Sequence, residues 1–349
     1  MILFLKKIFY FVLIILVYLI FEALIPINKF THRPWEALTY FKFGFGKQFY
    51  PNQKLVMNSS GDLIYNVDFV NKKKEIWQTD EIGYRNNKLI KNPDFLLIGD
   101  SFIAGSGITQ DSILSNALNY KSNSTYYNIA PATFNKFIDL TKNNIINKPK
   151  TIIFCLLEKN LPLPVNTKNG QEKFKEEFNI INDKISIYLD RLTRTYFLRY
   201  IHARILGNTG DGIKSKIDPR MYFNKVSPID NTKNITQYLN ILLSYKLYCD
   251  SNNINFIILL IPNKETVYYD KIPNKYQPDF LFKLAKLLED NNIQNLNSLN
   301  LFNEQRKFSN KDLYQLDDIH WNSYSVNILA DTLLKYTKDI DLMKQKKSF

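Results

Sequence analysis

A serine alone is a poor nucleophile in water, but a serine at the end of a buried strand sits where a base can reach it. The stretch DFLLIGDSFIAGSGI, residues 94–108, closes an apolar run with Gly-Asp-Ser. The run reads as a strand, and Ser101 then lies at the edge where open α/β sheets gather their chemistry. A helix beginning there aims backbone N–H groups at an alkoxide or a tetrahedral oxyanion. Gly105 and Gly107 permit the turn and the close approach of an acyl group. The plainer alternative is that Asp100 or Ser101 only caps the helix.

A base decides between the two. The chain has 3 histidines. His32 lies beside the apolar N-terminal segment and His202 in an Arg-rich stretch; only His320, in YQLDDIHWNSYSVNILADTLLKY, has acidic neighbours. His320 is therefore the candidate base, and Asp317 or Asp318 the carboxylate that fixes its tautomer and stabilises the imidazolium. In extended backbone, residues two apart point to one side, whereas residues three apart share a face of a helical turn. Asn322 or Ser323 reads as the cap of the final helix, which leaves His320 outside it. The expected catalytic set is Ser101, His320 and Asp318, with Asp317 as the alternate.

The elements that must position these residues follow from apolar periodicity. Strands are expected at Phe95–Gly99, Tyr126–Ala130, Thr151–Leu157 and Ile254–Ile261, with a weaker one at Ile293–Leu296. Helices are expected at Asp111–Asn119, Asn135–Ile146, Ile235–Asp250 and Asp279–Asp290. Their alternation predicts a three-layer α/β/α sandwich with a mostly parallel sheet. Residues 158–233 break the rhythm and read as an insertion, in which Arg191, Arg194, Arg199 and Arg204 interleave with apolar residues. That pattern fits a basic amphipathic helix at lipid headgroups or an anionic glycan, or simply a solvated face.

The first 26 residues read as a membrane anchor, because Ile8 to Ile25 is apolar apart from Glu22 and spans about 27 Å as a helix. No small-x-small cleavage spacing follows it. Lysines on both sides leave its orientation undecided by charge. Residues 27–90 read as an aromatic, basic juxtamembrane arm, and 91–349 as the catalytic domain. At 45% hydrophobic residues the chain is globular. Its formal charge of +13 is spread along the chain rather than organised into a stacking module, so nucleic-acid binding is not expected. Cys155 and Cys249 lack the spacing of a zinc site; whether they pair is open. No metal is expected.

GDSFIAGSG near one end and DDIHWN near the other resemble the SGNH/GDSL hydrolase superfamily. More narrowly, IPNKETVYYDKIP followed by DLYQLDDIHWN is similar to membrane-anchored SGNH-like O-acetyltransferases of the alginate acetylation type, and the upstream TDEIGYRNN is similar to a segment that precedes the Gly-Asp-Ser block in membrane-linked or secreted members. The resemblance spans roughly residues 80–336. It implies a flavodoxin-like fold, the two-residue Asp318-x-His320 spacing of the acetyltransferases, and an oxyanion site built from the N–H of Ser101 with help from the second and third blocks. Those blocks depart from the superfamily: YNIAPATFN has no Gly and offers Asn128, Ala130 and Ala132 as donors, and IIFCLLEKNLP lacks Gly-x-Asn-Asp, which leaves Asn160 as a side-chain donor or, equally, a Glu-Lys pair, with Lys159 in place of Arg, that resembles the Glu-Arg of the acetyltransferases.

The resemblance further implies a single-pass protein of a bacterial inner membrane, with its catalytic domain in the periplasm or outside the cell. The expected activity is O-acetylation of a cell-surface or exported polysaccharide without a bound cofactor, the acyl group being supplied by a multispanning membrane partner. The alternatives are a carbohydrate acetylesterase or lipase-like esterase, in which water accepts the acyl group, and a catalytically silent glycan-binding or scaffold protein.

Overall fold

The computed structural model describes residues 1–24, 28, 31–40, 48–63, 73–158, 190, 192, 197–198, 201–202, 205, 212–224, 235–273 and 276–347. The Arg-rich positions 191, 194, 199 and 204, with Lys159 and Asn160, lie outside these.

Five strands form one wholly parallel sheet: β3 (Phe95–Ile98), β4 (Tyr126–Asn128), β5 (Thr151–Leu157), β8 (Asn255–Ile261) and β9 (Gln294–Asn297), in spatial order β4-β3-β5-β8-β9. Every residue of β5 is buried. Since alternate side chains of a strand point to opposite faces, both faces of the sheet are covered. The helices Ile235–Ser251 and Phe280–Asp290 pack on each other and on β8 and β9, while the last helix, Ser323–Lys347, packs on α4 (Leu114–Lys121) and on the helix Ser298–Phe308. In chain order the sheet runs 2-1-3-4-5, and the chain changes direction of growth at the first strand, β3. The crevice beside such a strand's carboxyl end is the open position of this architecture. Ser101 follows β3 directly.

The arm is more ordered than its composition suggests. After a short helix, α2 (Pro34–Leu38), two antiparallel strands, β1 (Lys54–Ser59) and β2 (Lys73–Gln78), pair in register Lys54↔Gln78. A second small antiparallel pair, β6 (Gly212–Lys214) and β7 (Tyr222–Asn224), lies within the expected insertion. The hinge between arm and sheet is Arg85, which is fully buried. Its guanidinium lies 3.7 Å over the Trp77 ring and donates to the carbonyls of Ile76, Ala104, Gly105 and Ile108 and to Gln110. One side chain from the TDEIGYRNN segment thus fixes the loop that follows Ser101.

The first helix, α1 (Ile2–Leu24), is long and apolar enough to cross a membrane, with a mean hydropathy of 2.4. Its apolar side chains are exposed, and Glu22 is its one buried residue. Glu22 Oε2 accepts from the Phe197 amide at 3.1 Å, and Phe21 stacks on the Phe197 ring at 5.8 Å. The carboxyl end of α1 is therefore held by residues of the insertion.

Candidate functional site

Local sequence explains how Ser101 is presented. Gly99 ends β3 and Asp100 is extended, so its carboxylate turns back to accept from the Phe102 amide at 2.9 Å. Asp100 is the N-cap of α3 (Ser101–Ala104), and this releases the Ser101 hydroxyl for another partner. The short helix stops at Gly105, whose φ of 78° only glycine adopts freely. Gly105 and Gly107 serve the turn as expected. A Cβ at either would overlap Ile113 or Gln315, so their smallness is used in packing this loop against its neighbours.

The partner of Ser101 arrives from more than two hundred positions away. An antiparallel bridge pairs Tyr314 with Trp321, and Gln315 N donates to His320 O at 3.0 Å, which closes residues 315–320 into a tight loop. Asn322 caps the last helix by accepting from the Ser325 amide at 3.0 Å. His320 thus stands just outside the helix, as the capping pattern predicts. Beneath the loop lies Lys264, 1% exposed, whose ammonium donates to the carbonyls of Gln315 (2.5 Å), Leu316 (3.0 Å) and Asp318 (3.0 Å). Burial pulls its pKa down to about 8.

The result is a hydrogen-bonded line of three side chains. His320 Nε2 lies 2.7 Å from Ser101 Oγ, and His320 Nδ1 lies 2.5 Å from Asp318 Oδ1. An ionised carboxylate only accepts, so Nδ1 carries the proton and Nε2 offers its lone pair to the Ser101 hydroxyl. His320 and Asp318 are each 1% exposed, whereas Ser101 is half-buried, so the line opens outward only at its hydroxyl. The Phe102 ring covers the imidazole at 4.7 Å between centroids, and buried Trp321 packs on Phe102 in turn. Burial alone would lower the His320 pKa and raise that of Asp318. The contact between them reverses both, so His320 is raised above its ordinary value and Asp318 held well below its own.

Asp317 points elsewhere: its Oδ2 accepts from the Gly61 amide at 3.0 Å, and its carbonyl from the Leu63 amide at 3.2 Å. The adjacent aspartates divide the work, one turned to the imidazole and one to the arm. His32 pairs with Glu36 at 3.0 Å, and His202 is exposed; neither reaches Ser101. Among the expected oxyanion donors, the Ser101 amide carries no hydrogen bond among the described residues. The Ala132 amide donates to Gly99 O at 2.9 Å, which ties the second block to the end of β3. The Asn128 side chain is likewise used structurally, accepting from Ala130 N at 2.7 Å and donating to Ile103 O at 2.9 Å. Cys155 and Cys249 are both buried and free.

Three residues at the site gave no signal in the sequence reading. Lys264 and Arg85 lie within segments that carry the family resemblance, yet their burial under loops is a tertiary fact. Asp62 has no such context. It stands in the arm, with Oδ2 3.9 Å from His320 Nδ1, Oδ1 accepting from the Ile319 amide at 3.2 Å, and Arg33 Nη1 donating to it at 3.1 Å. Burial, followed by the charge of Asp318, raises its pKa to about 6. Asp62, Asp318 and His320 each offer one atom within 4.8 Å of the others, a grouping that could hold a cation. Arg33 supplies positive charge to Asp62, and His320 Nδ1–H donates to Asp318 Oδ1. No protein-family model matches the chain, and no curated protein matches it.

Proposed function

We propose that the protein is a membrane-anchored, extracytoplasmic serine acyl enzyme of the SGNH type that transfers acetyl groups to hydroxyls of a cell-surface or exported polysaccharide. The observation that carries this reading is the line Ser101 Oγ, His320 Nε2, His320 Nδ1, Asp318 Oδ1, with contacts of 2.7 and 2.5 Å, at the carboxyl end of the strand where the sheet order reverses. His320 Nε2 removes the Ser101 proton as Oγ attacks the acyl carbonyl. The Ser101 amide faces the oxyanion that forms. As the intermediate collapses, Nε2–H passes the proton to the departing oxygen and leaves an acyl-serine. In the second half-reaction an acceptor hydroxyl gives its proton to Nε2 and attacks, and the proton then returns to Ser101 Oγ. No redox step enters, and the proton balance closes on His320. The acyl donor would be delivered by a multispanning membrane partner.

Hydrolysis is the second reading. Ser101 is half-buried rather than sealed, and water reaching the acyl-serine uses the same base. The test is purified full-length protein in detergent, given a chromogenic acetyl ester with and without oligosaccharide. Ser101→Ala should abolish ester turnover while the chain still unfolds cooperatively; retained turnover in that folded variant would end the serine reading. Transfer predicts acetylated oligosaccharide by mass spectrometry, because an acceptor held at the site gains from proximity that bulk water lacks. Acetate release without any glycan gain would make the protein an esterase.

A further inference from the structure

Among the described residues, Asp62 is an acidic group beside the imidazole that this mechanism leaves without a task. It comes from the loop after β1, near Gly61, where a Cβ would overlap the Asp317 carbonyl; the arm thus lies flat on the loop that carries Asp318 and His320. Two bonds fix its carboxyl, from Arg33 and from the Ile319 amide. Its third contact is with the Asp318 carboxyl. Asp318 Oδ1 takes both the His320 amide and Nδ1, and Asp318 Oδ2 receives no donor among the described residues. Two carboxyls in contact around one imidazole are costly to bury, and a purely structural arm could have closed this contact with an apolar residue.

We propose that Asp62 is a positioning residue of the site, a second carboxyl that backs Asp318 and shares with it the charge of the imidazolium that His320 becomes when Ser101 gives up its proton. When neutral, Asp62 can donate to Asp318 and hold it against the ring. When ionised, it adds a second negative charge 3.9 Å from Nδ1. The other charged groups facing the cluster are Arg33, which opposes Asp62, with His32 and Glu36 beside it; Lys73 and Glu75 from β2; and Lys264 beneath the loop. Arg33 lowers the affinity of His320 for a proton and Asp62 raises it. Replacing Asp62 with a neutral residue therefore leaves the imidazolium with one carboxylate in place of two, so His320 must lose its proton at lower pH.

The catalytic consequence rests on the acyl-serine reading above, but the titration does not. With 3 histidines in the chain, side-chain NMR of isotope-labelled histidine in the full-length protein resolves each, and the signal lost in His320→Gln assigns His320. Asp62→Asn, which can still accept from Ile319 and donate to Asp318, should move the His320 midpoint to lower pH by on the order of half a unit or more. It should also move the acidic limb of kcat/KM the same way, and lower kcat about tenfold with KM little changed. Should Asp62→Asn fail to fold, Asp62→Ala, which presents no amide to Arg33, repeats the titration. An unmoved or raised midpoint in a folded variant overturns the inference whatever the activity does. A shifted midpoint with Ser101→Ala still active would keep the inference about charge and remove the acyl-serine reading instead.

Discussion

Two neighbouring aspartates have different partners, Asp317 the Gly61 amide and Asp318 the His320 imidazole, and that division makes the assignment of the orienting carboxylate sharply testable. Asp318 Oδ1 receives both the amide and Nδ1 of His320, a geometry open only to a side chain two residues earlier in non-helical backbone. Asp318→Asn presents an amide that cannot accept from Nδ1–H in the same way and adds no negative charge, so turnover should fall about 10³- to 10⁴-fold. Asp317→Asn keeps an oxygen for the Gly61 amide and should cost less than tenfold. Steady-state rates of the two variants at matched folding decide it; the reverse order would hand the role to Asp317. This much was legible in the sequence, since the helix cap at Asn322 and the scarcity of histidines isolate His320 and favour Asp318. Asp62 was not legible, because its meeting with His320 spans 258 positions and no local pattern records a contact at that separation.

At the scale of elements, the sheet strands were readable within a residue or two, the central ones because they are buried apolar runs; β9, Gln294–Asn297, is polar and half-buried, and it was the weakest of the expected strands. The pair β1–β2 was not, because it breaks the apolar-inward rule: Glu75 is buried and accepts from Ser59 Oγ at 2.6 Å. The helix Ser298–Phe308 escaped for a related reason, burying only Ser298, Leu299 and Phe302, too thin a stripe to announce a period. Loops depend on single buried cations. Lys264→Met keeps the aliphatic stem but leaves three carbonyls of the His320 loop without their donor. It should destabilise the protein by on the order of 3 kcal/mol, read as a lowered urea midpoint. Turnover should fall more than stability alone requires, because the 2.5 and 2.7 Å contacts of His320 depend on where that loop lies. Unchanged stability would mean that water replaces the ammonium.

For the whole molecule, the parallel sheet and the apolar first helix agree with the architecture expected from the sequence, and the arm lies against that sheet domain. Expected as an aromatic, basic juxtamembrane arm, it also contributes Arg33, Gly61, Asp62 and Arg85 to the surroundings of Ser101 and His320. Composition could not reveal this, since an irregular segment shows its purpose only in what it touches. The proposed topology places residues 27–349 outside the cytoplasm with the short Lys6–Lys7 leader inside. Protease added to intact spheroplasts should therefore digest the domain, and protection of it until lysis would reverse the orientation.

The bond from Arg33 to Asp62 has a consequence for distance. Arg33 stands nine residues beyond Leu24, the end of the apolar helix, and nine residues reach at most about 32 Å when fully extended. With α1 across a bilayer, the serine and its histidine work on a short leash, and substrates must come down to them. A soluble ester can diffuse in; under the proposed function, a glycan would have to be threaded through a layer scarcely thicker than the membrane, where the proposed membrane-borne acyl donor would lie. Lengthening the leash with a ten-residue Gly-Ser insert before Thr31 should leave chromogenic ester turnover within about twofold, since the bonds around Asp62 re-form. In cells the same insert, combined with Phe21→Ala and Glu22→Ala to release the hold of Phe197 on the helix, should lower the proposed polysaccharide acetylation severalfold, by lifting the site away from its donor. Equal acetylation with and without the insert would mean that height above the membrane does not matter to the proposed transfer.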